Sequence, residues 1–140
     1  MNTKERGDLT EVIAIAELKR HGYTVSTPIG ETARYDLLLD TETEILRIQC
    51  KTGWIRDEEC LVFKACSTDY NASGHHANRS YEGDIDAFLV RNPTNDELFF
   101  IPVADAPSRE MTLRLAGGNH PQQNAASEYH IDDGLPLQCG

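Results

Sequence analysis

The chain has 140 residues and carries 23 Asp and Glu against 13 Lys and Arg, a formal charge of −10. That length suits one domain with a real core, and a hydrophobic fraction of 39%, spread along the chain, excludes wholesale disorder. No apolar run approaches the ~20 residues of a bilayer span, and Met1 to Asp8 lacks the apolar stretch of a signal peptide, so an intracellular, cytoplasmic protein without a membrane partner is expected.

The basic set is nine Arg and only four Lys. An acidic, lysine-poor surface is unlike that of a generic DNA binder, because phosphate affinity needs cations. It suits either a partner other than nucleic acid or a host at high salt, where the Debye length falls to about 3 Å and surface repulsion is cheap. A halophilic host is the favoured expectation. The cysteines, Cys50, Cys60, Cys66 and Cys139, show neither a C-x-x-C pair nor a zinc spacing and are read as reduced thiols. The adjacent His75 and His76 could complete a metal site with Cys60 and Cys66, but neighbouring histidines ligate one ion poorly.

Residues 4–21 read as a helix with Leu9, Val12, Ile13, Ala16 and Arg20 on one face, widened by Ile15 and Leu18, and ended by Gly22. Glu17 is placed on the opposite, polar side with Thr10 and His21. Residues 23–27 are β-prone and are broken by Pro28 and Gly30. Two strands, 35–40 and 44–51, enclose a short acidic turn and form a hairpin. In the second, Leu46, Ile48 and Cys50 alternate with Arg47, Gln49 and Lys51. Residues 60–66 read as a further strand, 67–83 as a long polar loop with room for one short helix, 85–90 and 98–103 as two more strands, and 111–115 as an edge strand. The chain is expected to divide into a domain over 1–115 and a polar tail over 116–140. This order predicts a mixed α+β domain with the helix packed on one sheet face.

Three features break the patterning together. Glu11 flanks the apolar face of the helix, with Ile15 and Leu18 at i+4 and i+7. Asp36 opens the apolar run Leu37-Leu38-Leu39, and Gln49 and Lys51 share one face of a strand. Taken singly, each reads more readily as a solvated or turn residue. The hairpin, however, brings Asp36 opposite residues 48–50, and Glu11 on the packed helix can complete the group. Two carboxylates and an amide oxygen are hard ligands suited to Mg²⁺. A lysine beside them can orient water and stabilise charge on a phosphate.

Tyr35-Asp36-Leu37 followed by Arg47-Ile48-Gln49-Cys50-Lys51-Thr52-Gly53 resembles the PD-(D/E)XK nuclease superfamily, and within it the group I intron homing endonucleases. Supporting elements are Gly7-Asp8-Leu9-Thr10-Glu11, the Leu18 to Val25 element, Pro28 and Gly30, and the Tyr81 to Phe88 element, so the likeness spans roughly residues 5–103. It implies a restriction-endonuclease-like αβββαβ core with a mixed central sheet, and metal-dependent cleavage of DNA phosphodiesters. The matching catalytic set is Glu11, Asp36, Gln49 and Lys51. Glu11, Asp36, the Gln49 side-chain oxygen and the Cys50 backbone carbonyl would hold Mg²⁺, or Mn²⁺ in its place, while Lys51 orients the attacking water. The chain departs from the superfamily in carrying Tyr35 where a proline precedes the aspartate, and in a poor match to the second core helix between Cys66 and Tyr81. Gln49 stands where the superfamily usually has Asp or Glu, a variant expected in this group.

Arg47, Trp54, Arg56, His75, His76, Arg79 and Tyr81 are candidate contacts to double-stranded or branched DNA, each with a packing or surface role as the plainer reading. The resemblance also implies a homodimer or homotetramer. Two other readings stay open: a Holliday-junction-resolvase-like nuclease on the same core, and a DNA-binding or assembly module without catalysis.

Overall fold

A computed structural model describes residues 1–70, 76–115 and 124–135. The first element is α1 (Thr3–Arg20), capped by the Asn2 side chain, which accepts from the Glu5 N–H at 2.9 Å. The strands that build the main sheet are β1 (Thr24–Ser26), β2 (Leu37–Asp40) and β3 (Ile45–Thr52). They are followed by β4 (Trp54–Arg56), β5 (Cys60–Lys64), β6 (Cys66–Tyr70) and β7 (His76–Ser80). The chain continues through β8 (Ala87–Arg91), β9 (Leu98–Pro102), β10 (Glu110–Arg114) and β11 (Asn124–Ala125) to α2 (Ile131–Gly134).

The main sheet has the order β1-β2-β3-β8-β9, with β3 and β8 parallel and the other pairs antiparallel. It is the mixed sheet the sequence predicts. β8 and β9 are apolar at nearly every position because both faces are covered. Ala87, Leu89, Leu98 and Phe100 join Ala14 and Leu18 of α1 in one core. Phe88, Val90, Phe99 and Ile101 turn the other way, against Leu61, Phe63, Met111 and Leu113 of a second sheet ordered β11-β10-β5-β4. Gly53 marks the step from one sheet to the next. A Cβ there would stand 2.6 Å from Leu61 Cδ1 and 3.0 Å from the Val62 carbonyl oxygen, so only glycine fits between the layers.

Several expectations are corrected. The buried stripe of α1 is Thr10, Ala14 and Leu18, whereas Val12 is 64% exposed and Ala16 and Arg20 face solvent. The helix is rotated from the expected face because Thr10 is a polar member of the interior. Its hydroxyl lies 2.6 Å from that of Thr52 and accepts from Arg91 Nε at 2.8 Å. Glu17 is accordingly not opposite an apolar face shared by Leu9 and Val12; it is half-buried and paired with Arg20.

Residues 67–83, expected as a loop, contain most of the β6–β7 hairpin. The described residues between β3 and β8 form strands where the αβββαβ order has its second helix. Arg34 anchors this polar ribbon, donating to the Ser80 carbonyl, the Ser67 hydroxyl and the Asp84 carboxylate, each at 2.6 Å. β10 is not an edge strand, since it lies between β5 and β11. Residues 124–135, expected within a solvated tail, are packed: Ala126 and Ile131 are buried in the two cores, and the Phe100 N–H donates to the Tyr129 carbonyl at 2.8 Å. Cys139, Asn71 to His75 and residues 116–123 lie outside the described residues.

Candidate active site

Asp36 sits where β2 begins to pair with β3. Its N–H donates to the Ile48 carbonyl and its carboxylate Oδ2 accepts from the Cys50 N–H, both at 2.8 Å. The register Leu37 to Ile48 puts Asp36 level with Gln49, within the span of 48–50 that the hairpin predicts. The side chain thus takes a backbone donor of β3, which fixes the carboxylate against that strand. Burial raises the Asp36 pKa, opposed by the Cys50 N–H and by the positive charge of Lys51.

Glu11 reaches the same place from α1. Its carboxyl is also raised, by burial first, then by the charges of Asp36 and Asp8. Both carboxylates line one cleft of about 320 Å³, with Tyr35 and Pro28 among its walls. The Asp36 charge adds to the upward shift of Glu11, and two carboxylates held in one half-buried cleft are relieved by a cation. The Cys50 thiol beside them is pushed well above its ordinary value by burial and by the same two carboxylates, which makes it an inert thiol. Cys60 and Cys66 are likewise buried thiols outside any disulfide.

Gln49 and Lys51 project from β3 on the face away from Leu46, Ile48 and Cys50. The Gln49 amide nitrogen donates to the Cys50 carbonyl at 3.4 Å, leaving that oxygen a second lone pair. Lys51 Nζ donates to the Tyr81 hydroxyl at 3.2 Å and lies 4.8 Å from the centre of the Tyr81 ring. A second cation, the Arg34 guanidinium, lies 4.0 Å from that ring centre. Tyr81 itself is buried.

A model of the PD-(D/E)XK endonuclease family matches residues 1–132 of this chain. The chain belongs to that family. Among solved structures it is similar to a bacterial homing endonuclease, I-Ssp6803I, with a TM-score of 0.80 and 23% identity over 94% of this chain and 90% of that one. No curated protein matches.

As a PD-(D/E)XK endonuclease the chain departs from a fully carboxylate donor set. Among the described residues no three His, Cys, Asp or Glu side chains are grouped to hold a metal ion. Two carboxylates, the Gln49 amide and the Cys50 carbonyl are what the site offers. All are oxygen donors, the chemistry of Mg²⁺ and Mn²⁺ rather than of zinc. The donor set therefore fits a divalent cation, held with one negative charge fewer than a three-carboxylate site would give.

The remaining candidates are dispersed. Arg47 is tied to Asp86, which accepts from its backbone N–H at 2.7 Å and from its side chain. Burial acts against the Asp86 charge, yet these bonds hold its carboxyl below the ordinary range. Arg56 pairs with Glu110 at 3.3 Å and Arg79 with Asp84 at 3.8 Å. Trp54 is half-buried on β4, His76 opens β7, and His75 lies outside the described residues. No helix among the described residues is long and apolar enough to cross a membrane.

Sequence reasoning missed Arg34. Its isolation among polar residues gave no periodic signal, and its partners Ser67, Ser80 and Asp84 are distant in the chain. It also missed the contact between Tyr81 and Lys51.

Proposed function

We propose that this chain is a Mg²⁺-dependent DNA endonuclease of the homing type, with Glu11, Asp36, Gln49 and Lys51 as its catalytic set. The observation that carries the reading is the meeting of Glu11 and Asp36 across one cleft, with the Lys51 charge acting on Asp36. The name of the structural neighbour supports DNA as the substrate and homing-type cleavage as its use.

Glu11, Asp36, the Gln49 side-chain oxygen and the Cys50 carbonyl would hold the cation. Bound there, it supplies Lewis acidity to the scissile phosphate and lowers the charge repulsion that an incoming nucleophile meets. Asp36 is fixed by the Cys50 N–H, so its free oxygen is pre-aimed and little reorganisation is needed. Lys51 orients the attacking water and counters negative charge building on the phosphate. Its ammonium is restrained by the Tyr81 hydroxyl rather than left to sample solvent. One such site cuts one strand, so cleavage of both strands calls for a homodimer or homotetramer.

Nicking of supercoiled plasmid in Mg²⁺ tests the assignment. Asp36→Ala and Lys51→Ala are expected to slow nicking by about 100-fold or more. Undiminished cutting by either variant defeats the assignment. DNA binding by the wild type without any product in Mg²⁺ or Mn²⁺ would point instead to the non-catalytic module, and preference for four-way junctions over plain duplex to the resolvase-like reading.

A further inference from the structure

The cations of this acidic chain are distributed unevenly around the site. Arg20, Arg34, Arg47, Arg56, Arg79 and Arg91 each pair with a carboxylate. Arg6, Lys51 and Lys64 form no ion pair among the described residues. These three come from α1, β3 and β5, yet they line one cleft of about 390 Å³, with Trp54 of β4 on its wall. Cys50 and Lys51 border it, so it adjoins the catalytic group directly.

Gly7 also lines this cleft. It lies inside α1, where glycine destabilises a helix relative to alanine. A Cβ at Gly7 would meet nothing within 4 Å, so the packing of the chain itself does not require glycine. What the missing side chain keeps open is the cleft.

We propose that this cleft seats the nucleic-acid strand that flanks the scissile linkage. Arg6 and Lys64 bind its phosphodiester oxygens, Gly7 lets its backbone close against α1, and the Trp54 indole packs against a deoxyribose of the same strand. Arg6 and Lys64, without a carboxylate partner among the described residues, offer two charges to a polyanion, while the half-buried indole beside them offers an apolar face to a deoxyribose. Lys51 forms the wall shared by the cleft and the catalytic group, so the proposal rests on the endonuclease reading.

The test is binding of a short DNA duplex to the wild-type protein with Ca²⁺ in place of Mg²⁺, so that nothing is cut. Trp54 is the sole tryptophan, and its fluorescence reports the cleft without a label. The emission of Trp54 is expected to quench on binding. Arg6→Gln and Lys64→Gln are each expected to weaken binding and to lower the slope of log K against log salt by about 1. Lys19→Gln, the same charge change at the far end of α1, is expected to leave that slope unaltered. Gly7→Ala is expected to raise the melting temperature yet bind more weakly, and Gly7→Leu to bind more weakly still. Unchanged affinity and salt slope in Arg6→Gln and Lys64→Gln, with plasmid nicking still lost in Asp36→Ala, would overturn the cleft and leave the endonuclease standing. A wild type that neither binds nor nicks DNA would defeat both.

Discussion

Asp36 and Glu11 are held in the folded chain at some cost to stability. Both have raised pKa values, so their ionised forms are disfavoured in the native state relative to the unfolded one. The sign follows: at neutral pH these charges lower stability, and the loss is relieved as pH falls through the raised folded values. Asp36→Asn is therefore expected to be more stable than wild type in metal-free buffer at pH 7. The gap should close as pH is lowered and Asp36 of the wild type takes up its proton. Urea unfolding at a series of pH values measures it, and a less stable amide variant at pH 7 would count against a strained carboxylate pair. In the proposed mechanism Tyr81 positions Lys51, with its hydroxyl as acceptor and with the Lys51 and Arg34 cations close to its ring. Tyr81→Phe keeps the ring and removes the acceptor. Nicking should slow about tenfold through kcat, with KM for DNA unmoved. A rise in KM with kcat unchanged would mean that the hydroxyl does not act through Lys51. The residues proposed as catalytic stand out in the sequence because each violates its local pattern: a carboxylate beside an apolar helix face, another opening Leu37-Leu38-Leu39, and polar residues alternating along β3. Arg34 violates nothing locally and gave no such signal.

At the scale of elements, strands with strong alternation or continuous apolar runs were readable to within two or three residues, as β3, β8 and β9 show. The face of α1 was not. Its interior stripe includes Thr10, whose burial follows from hydrogen bonds to Thr52 and Arg91, partners 42 and 81 residues away. Periodicity counts apolar residues and is blind to a polar residue whose partner is remote in the chain. The β6–β7 hairpin escaped for a related reason. Its polar composition matches a loop, while backbone pairing and the Arg34 contacts hold it as a ribbon. The segment after residue 116 read as a tail because it is rich in Gly, Gln and Asn, yet Ile131 supplies an apolar anchor that docks beside β9. Ile131→Ala is expected to cost about 2–4 kcal/mol in urea unfolding. No change in stability would mean that 124–135 does not belong to the folded core.

For the whole molecule, the two sheets and α1 act as a frame that brings chain-distant groups to one edge: Glu11 from the helix, Asp36 from the start of β2, and Gln49, Cys50 and Lys51 from β3. The mixed α+β class followed from element order alone. The arrangement of nine strands in two layers among the described residues did not, because the pairing of β5 with β10 and of β3 with β8 joins segments with long intervening chain. The net charge of −10 remains at odds with a polyanionic partner unless positive charge is concentrated locally, as it is around Lys51. The frame is expected to form a cation site between Glu11 and Asp36. Anomalous diffraction from a crystal soaked in Mn²⁺ measures this: a peak within bonding distance of both carboxylates is expected, and a peak elsewhere, or none at saturating Mn²⁺, would rule the site out.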